Sequence, residues 1–107
     1  MSQPSEDIAR GEFTVINSAG IHLRPCQMIA RLASSFPDTE VMAGREDRWV
    51  NAKSIMGLTE LLAACGDSIA FEMRGPRAAE ALGKMQDLFV EGFGEPIDPK
   101  FQDNGKG

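Results

Sequence analysis

The segment Ser68 to Arg74 constrains the fold most. Ile69, Phe71 and Met73 fall on one side of a strictly alternating run, which predicts a strand with one buried face. Such a strand needs a second layer to cover it. Two other segments repeat their apolar residues at helical spacing instead. Met28, Ile29, Leu32, Ala33 and Phe36 form one stripe; Ala78, Leu82, Met85, Leu88 (or Phe89) and Phe93 form another. Both periodicities occur within one domain's length of chain, so the fold class is α+β, a sheet with helices layered on it.

Turn and cap residues divide the rest. Phe13 and Val15 alternate with Thr14, predicting a strand over about 12–17, and Asn17-Ser18-Ala19-Gly20 is turn chemistry. Pro25 suits the first turn of a helix, and Ser34, Ser35 and Pro37-Asp38 end it. Thr39–Ala43 and Arg48–Val50 predict a hairpin through Gly44, with Trp49 packed over one side. Ser54 is a good N-cap for a second helix, which the pattern carries to Cys65 with Gly66 as its stop. Gly75-Pro76 leads into the last helix. The order is strand, helix, strand, strand, helix, strand, helix. Residues 1–10 read as a flexible arm, 11–94 as the domain and 95–107 as a polar, flexible tail.

Composition narrows the function. The 107 residues carry a net charge of −5, which argues against a nucleic-acid partner. No apolar run approaches the roughly 20 residues that would cross a bilayer, and Met1–Arg10 lacks the apolar core of a secretion signal. A cytoplasmic protein is the simplest expectation. Cys26 and Cys65 show no paired spacing and read as reduced thiols. His22 and Cys26 are four apart, but two ligands do not make a metal site. No cofactor is expected. An enzyme acting through either cysteine would have only His22 as a base.

His22 is the only histidine. It lies in Gly20-Ile21-His22-Leu23-Arg24-Pro25, between the first predicted strand and the first predicted helix. An imidazole there meets the free amides of the opening helical turn, and Arg24 adds a cation, an arrangement suited to a phosphoryl group. A neutral imidazole is also a nucleophile near pH 7.

The hexapeptide Gly20 to Pro25 resembles the active-site signature of HPr, the histidine-containing phosphocarrier of the sugar phosphotransferase system. Asn51-Ala52-Lys53-Ser54-Ile55-Met56-Gly57-Leu58 independently resembles the HPr segment with the regulatory serine, at a matching separation. The likeness covers about residues 11–93. It implies an open-faced β-sandwich of order βαββαβα, with a four-stranded antiparallel sheet and three helices on one face. It implies that His22 takes a phosphoryl group on Nδ1 from phosphorylated enzyme I, whose donor is phosphoenolpyruvate. Arg24 then steadies the group, which passes to a IIA domain. Further implications are phosphorylation of Ser54 by HPr kinase/phosphorylase and an apolar docking patch at Ile55 and Met56. Leu23 stands where the family commonly has a small residue, and Ala19 where it often has Ser or Asn. Both flank His22 and bear on partner choice, so Leu23 joins the expected docking residues. The protein is expected to be a monomeric carrier rather than a free-standing enzyme. The alternatives are a regulatory HPr paralogue uncoupled from sugar uptake, and a small ligand-binding regulatory domain of ferredoxin-like type.

Overall fold

The computed structural model describes residues 7–102. Its elements are β1 (Ile8–Thr14), α1 (Leu23–Ser34), β2 (Glu40–Arg45), β3 (Arg48–Asn51), α2 (Ile55–Thr59), β4 (Ser68–Arg74) and α3 (Ala78–Val90), with 3₁₀ turns at Gly92–Gly94 and Pro99–Phe101. The alternating run forms β4 over the predicted residues, and its strict alternation fits a central strand. β1 pairs with one side of it and β2 with the other, giving the order β1-β4-β2-β3 with every pair antiparallel.

The register explains how one face becomes a core. Gly11 and Ala43 lie on either side of Phe71, and Ala9 and Val41 on either side of Met73. Small residues beside large ones leave room for the helices to close down. Cys26, Ile29, Ala30 and Ala33 of α1, and Ala78, Ala81, Met85 and Phe89 of α3, supply the covering layer. Phe13, Phe71, Phe89 and Phe93 make successive ring contacts, with centroids between 4.9 and 5.9 Å apart. These offset and edge-on geometries suit aromatic quadrupoles. The short α2 packs on α1 and β3.

The opposite sheet face is polar. Arg10 and Arg74 both reach Glu72, at 2.9 and 3.1 Å. Trp49 lies across this face opposite Gly44, and a Cβ on Gly44 would come 2.5 Å from its ring. We expect Gly44→Ala to lift the indole off the sheet at a cost of about 1–3 kcal/mol, the range for overpacking. Trp49 is the only tryptophan, so a red-shifted, more quenchable emission would report the displacement; an unchanged spectrum would contradict it.

Four expected boundaries need correction. The first strand is Ile8–Thr14, not 12–17, so residues 8–10 belong to the sheet rather than to an arm. The second helix stops at Thr59 instead of reaching Cys65. Beyond it, the Leu61 carbonyl accepts a bond from Arg45 (3.1 Å), the Ala63 carbonyl accepts one from the Ile21 amide (3.0 Å), and Leu62 turns left-handed at φ 53°. Those tertiary partners satisfy a backbone that a helix would otherwise have bonded. The last helix ends at Val90, and Phe93 sits in the following turn. The tail is placed through residue 102: the Ser18 amide bonds Pro96 (3.0 Å), the Asp98 amide bonds Ile16 (2.9 Å), and Asn17 bridges Ile97. The remaining arm and tail residues, 1–6 and 103–107, lie outside the described residues.

Candidate functional site

The turn before α1 sets the position of His22. Gly20 adopts φ +75°, and a Cβ there would lie 3.2 Å from the Ala63 carbonyl oxygen and the Ala64 Cα. Both the backbone angle and the space favour glycine. The chain then places His22 in extended conformation as the residue before the helix, its carbonyl accepting a bond from the Cys26 amide at 3.1 Å. Leu23 and Arg24 are the first helical residues, so their amides have no intrahelical acceptor. Pro25, the third, has no N–H. Two backbone donors therefore open beside the imidazole at the positive end of a 12-residue helix.

Three side chains meet at Glu95. His22 Nε2 lies 3.0 and 2.9 Å from its two carboxylate oxygens. Asn17 donates to Glu95 Oε1 at 2.9 Å and to the Gly20 carbonyl at 2.9 Å. Arg24 donates to Glu95 Oε2 at 3.2 Å and to the Phe93 carbonyl at 2.9 Å. The His22 side chain is 44% exposed and that of Glu95 only 11%. The ring thus opens to a partner while its anchor lies underneath. Asn17 is fully buried and its Oδ1 has no hydrogen-bond partner. Its amide orientation follows from the neighbours: both contacts are acceptors, so the NH₂ group must face them.

Burial acts to raise the Glu95 pKa, but the hydrogen bonds from His22, Asn17 and Arg24 outweigh it and hold the carboxyl below its ordinary value. Glu95 therefore stabilises the fold above the ordinary carboxylate pKa and loses that contribution as pH falls through its lower, folded value. We expect acid to loosen the contacts of 95–98 before the core. Hydrogen exchange at Ser18 and Asp98 should then accelerate on acidification, relative to intrinsic rates, before exchange at Phe71. Simultaneous loss would contradict this.

Of the residues singled out in the sequence, His22, Leu23 and Arg24 come together at the start of α1. Leu23 is 57% exposed. Ser54 caps α2, its hydroxyl accepting from the Gly57 amide at 3.1 Å. Ile55 and Met56 follow it on the surface, Met56 78% exposed. The Ser54–Met56 segment lines a shallow groove shared with Gln27 and Arg31 of α1. Cys26 faces the core, where burial raises its thiol pKa, while His22 faces solvent. Among the described residues no group of three or more His, Cys, Asp or Glu could hold a metal ion, and no helix is long and apolar enough to cross a membrane. Sequence reasoning missed Glu95 and Asn17 as site residues. Asn17 was legible only as a turn residue, and Glu95 lies 73 positions from His22, in a stretch whose composition reads as tail.

An antiparallel α+β scaffold that presents one imidazole at a helix start defines a class of small histidine-bearing proteins. A βαββαβ fold of ferredoxin-like type keeps its first strand inside the sheet, whereas here β1 is an edge strand in the order β1-β4-β2-β3. The family model described as the PTS HPr component phosphorylation site matches residues 9–91. The phosphocarrier protein HPr of Treponema pallidum is 41% identical over 81 residues, 76% of this chain and 91% of that protein. The crystal structure of HPr-C-His from Thermoanaerobacter tengcongensis superposes with a TM-score of 0.78 at 29% identity, covering 83% of this chain and 99% of the other. A crystal structure described as an HPr dimer from the same organism gives 0.65 at 28% identity, covering 89% and 100%. The chain belongs to the HPr family of phosphocarrier proteins of the phosphotransferase system.

Proposed function

We propose that this protein accepts a phosphoryl group on His22 Nδ1 from phosphorylated enzyme I and passes it to IIA-type acceptors in the cytoplasm. The observation that carries the reading is the half-exposed imidazole, engaged at Nε2 and without a hydrogen-bond partner at Nδ1 among the described residues, beside the open amides of α1. The Nδ1 lone pair attacks phosphorus, the bond from phosphorus to the carrying atom of the donor breaks, and that atom keeps the electron pair. The arriving oxygens then accept bonds from the Leu23 and Arg24 amides. Arg24, now shared between Phe93 and Glu95, can turn its guanidinium to the new dianion. These donors are few, so the group is steadied without being trapped. The chain acts as a carrier rather than a free-standing enzyme, and its working form is a monomer.

Leu23, Ile55 and Met56 supply an apolar surface for partners to cover. Ser54 serves HPr kinase/phosphorylase as a second site. A phosphate there would add about two negative charges at a helix start that tolerates them, and would weaken docking of an acidic partner. Incubation with ATP and that kinase should label Ser54; no label would remove the regulatory role. For the carrier reading, the protein is mixed with enzyme I and phosphoenolpyruvate and weighed. Acid-labile gain of one phosphoryl group is expected, and unchanged mass with a competent donor would refute the reading.

A further inference from the structure

We propose that Glu95, delivered by the C-terminal segment and held by Asn17, is a positioning residue that keeps His22 protonated on Nε2 and leaves Nδ1 as the attacking nitrogen. This rests on the carrier reading for its purpose, but not for its geometry. An ionised carboxylate only accepts hydrogen bonds, so the nitrogen 2.9 Å from Glu95 Oε2 must carry the proton. The neutral ring then has its lone pair on Nδ1. The logic parallels that of a buried aspartate that fixes a catalytic imidazole's tautomer.

The second tier is equally specific. Asn17 is fully buried and directs its NH₂ at both Glu95 and the Gly20 carbonyl. It thereby ties the carboxylate to the turn that positions His22. The segment carrying Glu95 is pinned to the same strand-to-helix connection by the Ser18–Pro96 and Asp98–Ile16 backbone bonds. Residues from both ends of the chain therefore frame one imidazole. Arg24 adds a consequence: it shares Glu95 with His22 in the resting state. When its guanidinium turns to the phosphoryl group, the carboxylate remains to face the Nε2–H of the phosphorylated ring.

The test compares wild type with Glu95→Ala, Glu95→Gln and Asn17→Ala. Glu95 lies in the segment after α3, outside the aromatic core, so its variants guard against the chance that Asn17→Ala fails to fold. The first readout is the imidazole tautomer, measured by heteronuclear NMR on unphosphorylated protein above the ring's titration. The Nδ1-protonated form should rise in Glu95→Ala and stay low in Glu95→Gln, whose side-chain oxygen still accepts. The second readout is the initial rate of phosphoryl uptake from phosphorylated enzyme I. Glu95→Ala should lose at least roughly tenfold to a hundredfold, the range known for removing the carboxylate partner of a metal-bound histidine, and Glu95→Gln should recover most of it. An unchanged tautomer in Glu95→Ala overturns the proposal whatever the protein carries, and so does a wild-type uptake rate in that variant. If wild type itself takes up no phosphoryl group while the tautomer shifts as described, the carrier reading fails and the ring-orienting contact stands.

Discussion

His22→Gln is expected to abolish phosphoryl uptake and leave the fold intact. The side chain projects to solvent from the residue before α1, and its one hydrogen-bonded neighbour among the described residues is Glu95. A glutamine amide can still donate to that carboxylate, so no buried group loses its partner. The stability change should stay within about 1 kcal/mol, the typical worth of one hydrogen bond. What glutamine lacks is a nucleophilic nitrogen, since an amide lone pair is delocalised into its carbonyl. Mass measurement after incubation with enzyme I and phosphoenolpyruvate, paired with a thermal melt, separates the two effects. Uptake that persists in a folded variant would place the acceptor elsewhere in the chain.

The largest loss of stability is expected at Phe71. Its ring sits at the middle of the central strand, fully buried, within 5.9 Å of Phe13 and 5.6 Å of Phe89, ring centre to ring centre. Phe71→Ala removes the ring against which Phe13 of β1 and Phe89 of α3 both pack, and the residues beside it, Gly11 and Ala43, are too small to fill the space. The cost should be about 3–5 kcal/mol, a large share of the roughly 5–15 kcal/mol that holds a domain of this size together. Denaturant unfolding should show a lowered midpoint with little change in slope. A loss below about 1 kcal/mol would mean that the aromatic cluster is not the core's centre.

The parts of the fold that were legible in the sequence are those decided locally. β4 is central and one-faced, so Ile69, Phe71 and Met73 alternate cleanly and the predicted span matches the observed one. β1 was misplaced because its inward residues include Ala9 and Gly11, too small to mark a period; only Phe13 stood out. Leu61 and Leu62 extended the apparent pattern of α2, but Arg45 and Ile21 compete for the backbone there. Trp49 was legible as a packing residue on the hairpin, but Gly44, expected in the link between the strands, lies inside β2 paired with Trp49, and the turn falls at Glu46-Asp47. The tail was the chief failure. Its proline and glycine content signals irregular backbone, which is what it has, but irregularity is not looseness once Ile16, Asn17 and Ser18 supply partners. The site divides the same way. His22 and Arg24 sit in one short motif at a helix start, where local chemistry suffices to identify them. Glu95 reaches them only through tertiary folding, and nothing within its own neighbours predicts a contact across 73 positions.

If His22 is the carrier, its Nδ1 bears the transferred group, and heteronuclear NMR of the phosphorylated protein reads that bond out. Coupling between phosphorus and the two ring nitrogens identifies the bonded atom. The geometry at Glu95 predicts that Nδ1 carries the phosphorus and Nε2 the proton. Phosphorus on Nε2, or on any residue other than His22, would contradict it.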